Sequence, residues 1–210
     1  MYKKTWESLL KRKRSLGLRR PSSPSESTEL KLEVKKILYA IASTNKISEI
    51  KQKLELLYIY NIYGIDSYYI LNELYYLTPF FYSGEKGKCV STKIVSFFDY
   101  LIGPDIVKLK EKDLKALRLG IKVLVDIGIS SAQYNRNVSL AIPTLISTLD
   151  SLYQLSLLID NYEKYQLIPT IKNGLKSIKE TALTEFKGMT KLRNLSRKYE
   201  YYLSKIPQKK

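Results

Sequence analysis

Residues 119–129 read Leu-Gly-Ile-Lys-Val-Leu-Val-Asp-Ile-Gly-Ile, and the predicted fold class rests on this stretch. Every second residue from Leu119 to Ile129 is aliphatic, and all but the first of these are β-branched. Alternation with a period of two in β-branched residues is typical of a strand. Leu114 and Leu117 begin a weaker helical pattern, which the six alternating positions outweigh. We therefore predict a strand over residues 119–129.

A single strand needs partners, and the segment 152–160 offers one because Leu155, Leu157 and Ile159 alternate there. The other segments have apolar residues at helical spacing, and Asp66 is a predicted N-cap. These predicted helices cover residues 29–43, 46–57, 66–77, 91–102 and 169 onward, the last being one helix or a pair broken at Gly188. Residues 58–65 either extend the second helix or form a strand. The prediction is α+β, with several helices packed on a small sheet; the alternative is all-α.

The net charge of +16 is concentrated at the two ends of the chain. Residues 1–20 hold eight basic side chains against one acidic, and residues 172–210 hold eleven against three. Residues 21–171 are close to neutral. This distribution indicates that the ends bind anionic surfaces while the middle folds.

Residues 1–20 form the first candidate site, because Trp6, Leu9 and Leu10 share one face of a helical wheel and most of the basic residues lie outside it. Such a segment is suited to the headgroup region of an anionic membrane. The alternative is a solvated basic tail or a nuclear-import-like cluster at residues 11–14. The predicted membrane-binding residues are Lys3, Lys4, Trp6, Leu9, Leu10, Lys11, Arg12, Lys13, Arg14, Arg19 and Arg20.

A Ser- and Pro-rich stretch follows this arm, and its composition predicts a mobile linker. We therefore place the arm and linker at residues 1–28 and a single folded domain at residues 29–210. Pro21, Ser22, Ser23 and Pro24 resemble the proline-framed tetrapeptides with which enveloped viruses recruit budding machinery, with Ser in place of Ala. The alternative is that these four residues are only linker.

Several classes of protein do not fit the composition. The chain has no histidine and one cysteine, Cys89, so that a disulfide within the chain and a cysteine metal cage are excluded. We expect no enzyme, no metal and no cofactor, because no phosphate-binding loop or nucleophile motif is present. Residues 83–88 are lysine-rich, but their spacing does not match a phosphate-binding loop, and we expect a tight basic turn there instead. We also expect a cytosolic protein without a signal peptide or membrane span.

The carboxy-terminal block, residues 187–210, combines basic residues with Tyr199, Tyr201 and Tyr202. Cations neutralise phosphates and rings stack on bases, which suits nucleic acid. The alternative is a solvated helix face with the tyrosines packed on the core. The predicted residues for binding nucleic acid or a nucleocapsid are Lys187, Lys191, Arg193, Arg197 and Lys198.

Residues 54–103 contain an aromatic run, a helix, the segment Phe81-Tyr82-Ser83-Gly84 with Gly87-Lys88, and an apolar helix. This order resembles the matrix proteins of rhabdoviruses, which are basic cytosolic proteins with a lysine-rich arm, a proline-bearing linker and one α+β domain. The likeness covers about a quarter of the chain. The linker lacks the PPxY that many of these proteins carry, and the long helical carboxy terminus differs from their strand-containing end.

The resemblance implies a non-enzymatic viral structural protein that bridges an anionic membrane and a ribonucleoprotein and self-associates during assembly and budding. Its expected partners are the membrane surface, the nucleocapsid or RNA, other copies of the chain and host proteins. The expected location is the inner leaflet of the host membrane and the virion, with the nucleus as a further location. A second resemblance, to the helical accessory proteins of paramyxoviruses, rests on the cationic start and on residues 191–199. It implies the alternative of a helical regulatory protein that binds host proteins or nucleic acid.

Overall fold

The computed structural model describes residues 24–62, 64–101, 109–159 and 167–206. Within these ranges every regular element is a helix. The eight α-helices are α1 (Pro24–Ser43), α2 (Ile47–Ile62), α3 (Ser67–Tyr76), α4 (Gly84–Ser96), α5 (Glu111–Tyr134), α6 (Val138–Ile159), α7 (Leu167–Glu185) and α8 (Leu192–Lys205). Two short 3₁₀ helices, Thr78–Phe80 and Asp99–Leu101, follow α3 and α4. The fold of the described residues is therefore all-α, and the α+β prediction is wrong.

The predicted strand at residues 119–129 lies in the middle of α5. Its alternating residues are apolar because α5 is covered by neighbouring helices on several sides, so residues beyond one narrow stripe are apolar too. Gly120, Leu124 and Gly128, which a strand would point away from Leu119 and Ile129, are all buried. The period of two was therefore a coincidence within a helix that is buried on more than one face.

The second predicted strand, within residues 152–160, belongs to α6. Leu155 and Ile159 are buried, but Leu157, which would share their face in a strand, is 50% exposed. The spacing of four between Leu155 and Ile159 is helical. By length and composition α6 is also apolar enough to cross a membrane, and here it lies mostly inside the helical core.

Several helices begin or end where the sequence predicts, and others have different bounds. Asp66 caps α3 by accepting a hydrogen bond from the Tyr68 amide, as predicted. The aromatic run after residue 57 extends α2 as far as Ile62. The predicted break at Gly188 separates α7 from α8, and Gly188 has a φ of 79° there.

Two segments predicted as irregular are helical. Helix α1 begins at Pro24, inside the predicted linker, and a proline at the start of a helix costs no hydrogen bond. Helix α4 begins at Gly84, so the prediction of a tight basic turn at residues 83–88 is wrong. The Lys86 amine is drawn inward and donates to the carbonyl oxygen of Ala42 at the end of α1. Burial lowers the pKa of Lys86.

The centre of the fold is the hairpin of α5 and α6, which pack against each other. Helix α4 lies against α6, α3 lies against α5, and α7 contacts both helices of the hairpin. Helices α1 and α2 pack on the α3 and α4 side, whereas α8 packs on α6 and α7. The amino-terminal and carboxy-terminal helices therefore lie on different parts of the molecule.

The α4–α6 contact is close because small residues face each other. The Ser91 and Ser147 hydroxyls are hydrogen-bonded, and Ser151 donates to the Ser91 carbonyl at 2.9 Å. A Cβ on Gly87 would lie 2.6 Å from the Thr144 hydroxyl oxygen on α6, and 2.2 Å from the carbonyl oxygen of Phe81 just before α4. This contact fixes α4, and through it α2, against the central hairpin.

Candidate nucleic-acid interface on the carboxy-terminal helix

Helix α8 is amphipathic, and its buried face follows from its sequence. Leu192, Leu195, Tyr199 and Tyr202 recur at steps of three and four and are all buried. Ile206, just after the helix, continues the same face and is buried as well. Two of the three tyrosines in the block therefore belong to the core, as the alternative for the carboxy-terminal block proposed.

A polar contact fixes α8 to α6. The Asp150 carboxylate accepts hydrogen bonds from the Lys198 amine, at 2.7 and 2.9 Å to its two oxygens, and from the Tyr202 hydroxyl. The Tyr202 ring stacks on Tyr153, with 4.3 Å between ring centroids. Burial, and then the hydrogen bond to Asp150, raises the pKa of Tyr202 well above its usual range. Lys198 is therefore half-buried, and its charge is paired with Asp150 within the fold.

A second contact joins α8 to α7. The Lys179 amine forms an ion pair with Glu200 and also lies over the Tyr199 ring, 4.2 Å from its centroid. Glu200 is the only acidic residue of α8, and this pair directs its carboxylate toward α7. The acidic charge of the helix is thus compensated within the molecule.

The opposite face of α8 is basic and exposed. Arg193, Arg197, Tyr201 and Lys205 follow one another at steps of four, so they form one row about 6 Å apart along the helix. The Tyr201 side chain is 54% exposed, and the Lys205 amine lies 5.9 Å from its ring centroid. Within the described part of the chain, no carboxylate pairs with any of the three cations of this row. We call these four residues the α8 row.

The amino-terminal end of the row borders an open cleft of about 430 Å³. The cleft lies at the turn between α7 and α8, where Gly188 adopts its positive φ. Leu183 and Met189 contribute exposed apolar surface to it, at 38% and 47% exposure. Its lining consists of Leu183, Gly188, Met189, Thr190, Leu192, Arg193, Ser196 and Arg197.

The five residues predicted to bind nucleic acid take different positions. Arg193 and Arg197 are exposed and belong to the α8 row, and Lys187 is exposed in the turn before it. Lys191 is exposed too, but its amine donates to the Ser139 hydroxyl at 2.6 Å. Lys198 does not fit the interface, since Asp150 binds it.

Sequence analysis missed the contributions of Lys205, Leu183 and Met189. The spacing of four from Arg193 to Lys205 was a signal that could have identified Lys205. Leu183 and Met189 gave no such signal, because an apolar residue in a predicted amphipathic helix normally indicates the buried side, whereas Leu183 is exposed on α7 and Met189 lies in the turn after it.

The predicted membrane-binding residues and Pro21, Ser22 and Ser23 of the candidate budding motif lie outside the described residues. Pro24, the last residue of that motif, is the first residue of α1.

Neither a reactive cysteine nor a metal site is found among the described residues. Cys89 is half-buried, and burial raises the pKa of its thiol. Across the described ranges, no three Cys, Asp or Glu side chains are grouped so that they could hold a metal ion. No protein-family model matches the chain, and neither a curated protein nor a solved structure matches it.

Proposed function

We propose that the chain is a non-enzymatic helical protein that binds RNA, free or within a ribonucleoprotein, through the α8 row. The observation that carries this proposal is that Arg193, Arg197 and Lys205 share one exposed face with Tyr201 and have no carboxylate partner in the described residues. Cations without partners attract phosphates, and an exposed ring offers a surface on which a base stacks.

The energetics favour a polyanion as ligand. An arginine whose charge is compensated within the fold gains little from a phosphate, whereas an exposed arginine neutralises the phosphate and so releases counterions condensed on the nucleic acid. The fold also holds the row in place, because Asp150 and Lys179 fix the opposite side of α8. The α8 row therefore acts as a preformed strip of positive charge.

The test is RNA binding by the Arg193→Gln/Arg197→Gln double variant, measured by fluorescence anisotropy with a labelled oligouridine. We expect its affinity to fall about tenfold or more relative to wild type, because two phosphate contacts are lost. The matched control is Lys112→Gln/Arg118→Gln, which removes the same charge from exposed positions of α5. Equal losses in both double variants would show that only net charge matters, and the α8 row would then not be the interface.

We extend the proposal to a bridging role, in which residues 1–20 bind an anionic membrane while the α8 row binds the ribonucleoprotein. This role is supported by the positive charge of that segment and by its apolar Trp6, Leu9 and Leu10 side chains, which can insert among lipid headgroups. The segment also precedes α1, which packs on α2 and α3, while α8 packs on α6 and α7. Self-association would multiply these contacts in a matrix-like shell at the inner leaflet.

Liposome flotation tests the bridging role. The full chain should float with vesicles containing phosphatidylserine and not with vesicles of phosphatidylcholine alone. The chain without residues 1–20 should stay at the bottom with both. Equal flotation of the two proteins would refute the membrane role and leave the RNA proposal standing.

The second candidate function is a helical regulatory protein that binds host proteins or nucleic acid with no membrane role. The all-helical fold favours this candidate, because the matrix-like resemblance implied an α+β domain. The location in cells separates the two: a membrane pool that depends on residues 1–20 supports bridging, and a purely nuclear or diffuse pool supports the regulatory protein.

A further inference from the structure

The cleft at the α7–α8 turn combines an apolar surface with a basic one. Leu183 and Met189 expose apolar atoms, and Arg193 and Arg197 line the same space. Apolar side chains beside uncompensated cations are suited to a ligand that has both an apolar face and a negative charge.

The guanidinium groups of Arg193 and Arg197 can contact both parts of such a ligand, its flat apolar face and its negative charge. The planar face of a guanidinium stacks on aromatic rings, and its edge donates hydrogen bonds to phosphate oxygens. The Thr190 and Ser196 hydroxyls line the cleft as well, and they provide hydrogen-bonding groups at its wall. An unpaired nucleobase with its flanking phosphates has this chemistry.

We propose that the cleft holds one unpaired base of single-stranded RNA, so that the protein selects single strands over duplexes; this inference rests on the proposed function. The base lies on Leu183 and Met189, and the phosphates on either side of it contact Arg193 and Arg197. The cleft has a volume of about 430 Å³ and is open to solvent, so that a base can enter it from solution. The α8 row then continues away from the cleft, with Tyr201 as a second stacking surface.

A duplex cannot use the cleft in this way. Its bases are stacked and paired, and the deep major groove of A-form RNA keeps their edges away from side chains. The exposed cations would still contact the phosphates of a duplex. The apolar part of the site therefore distinguishes the two forms, while the basic part does not.

The experiment compares wild type with the Leu183→Gln/Met189→Gln variant, using a short oligouridine and an RNA duplex of the same length. Both substitutions are at exposed positions, and glutamine keeps the side-chain length of Met189 in the turn and the helix propensity of Leu183 on α7. We expect the affinity for the single strand to fall about fivefold, and the affinity for the duplex to stay unchanged. The control variant Leu157→Gln, an exposed leucine of α6, should bind both RNAs as wild type does.

The other outcomes are also decisive. Equal affinity of wild type for the two RNAs, with no effect of the cleft variant, would overturn this inference and leave the proposed function intact. Absence of binding to either RNA would refute the proposed function as well. An acidic peptide with one tryptophan that bound wild type more tightly than the single strand, and bound the cleft variant weakly, would assign the cleft to a protein partner instead.

Discussion

Asp150 makes the polar contact that holds α8 against α6. Its carboxylate accepts hydrogen bonds from both Lys198 and Tyr202, and the Lys198 and Asp150 side chains are only about one-third exposed. A half-buried carboxylate with two donors contributes more than a surface ion pair, because removing it leaves both donors without an acceptor.

We expect Asp150→Ala to lower the free energy of unfolding by about 1–3 kcal/mol, measured by urea denaturation, because alanine offers Lys198 and Tyr202 no acceptor. It should also increase hydrogen exchange in α8 more than in α5. The control is Glu180→Gln, which removes a fully solvated pair with Lys176 at 3.7 Å and should cost no more than about 0.5 kcal/mol. An equal cost in the two variants would contradict the anchoring role of Asp150.

Asp126 on α5 gives a prediction about pH. Burial raises the pKa of this carboxyl above its ordinary value of 3.8, and the nearby Lys122 only partly opposes the shift. The folded state therefore holds this proton more tightly than the unfolded state, so Asp126 favours folding below pH 3.8 and this contribution is lost as the pH rises through the folded pKa.

We therefore expect Asp126→Asn to increase the free energy of unfolding at neutral pH, with the gain disappearing below pH 3.8. Denaturant titrations over the acid range measure this difference. Glu111→Gln should show the opposite trend, because the hydrogen bond from Lys115 lowers the pKa of Glu111. A constant difference between wild type and Asp126→Asn across that range would contradict the prediction.

Among the elements, α5 shows how a sequence pattern misleads. Residues 119–129 are apolar on several faces because α5 is buried against α3, α6 and α7 at once, and the period of two among them is a coincidence. Val125, for example, lies against Gly174 of α7, at 2.5 Å from the position of a Cβ there. The amphipathic helix α7, which has one exposed side, was predicted from the spacing of its apolar residues, and α8 was expected only as part of a helical carboxy terminus.

The close packing of α4 against α6 can be tested by adding a methyl group at Gly87. We expect Gly87→Ala to lower the free energy of unfolding by about 1–3 kcal/mol or more, because the new methyl group would collide with the backbone oxygen of Phe81 and with the Thr144 side chain. Thr92→Ala, at an exposed position of the same helix, should change it by no more than about 0.5 kcal/mol. Thermal or urea unfolding measures both, and a neutral Gly87→Ala would mean that α4 is not held closely against α6.

For the whole molecule, the separation of charge predicts the dependence of RNA binding on salt. Each phosphate contact with a single strand contributes about 0.7 to the slope of log affinity against log salt. The slope for Arg193→Gln/Arg197→Gln should therefore be shallower than that of wild type by about 1.4. Anisotropy titrations at several salt concentrations give both slopes, and identical slopes would show that these arginines do not contact phosphate.

The sequence by itself determined the charge at the ends of the chain, the absence of histidine chemistry, the cap at Asp66 and the helical nature of α7 and α8, but it left open whether Gly188 breaks that helical stretch in two. These properties are local, and they depend on composition or on contacts between near neighbours in the chain.

Only the tertiary structure decided that residues 119–129 are helical, that Lys198 pairs with Asp150 while its neighbour Arg197 stays exposed, and that Leu183 and Met189 border a cleft with two arginines. The physical reason is that these outcomes depend on which distant helix covers each face. A rotation of about 100° per residue separates Arg197 from Lys198, and the position of α6 decides which of the two lies over a carboxylate.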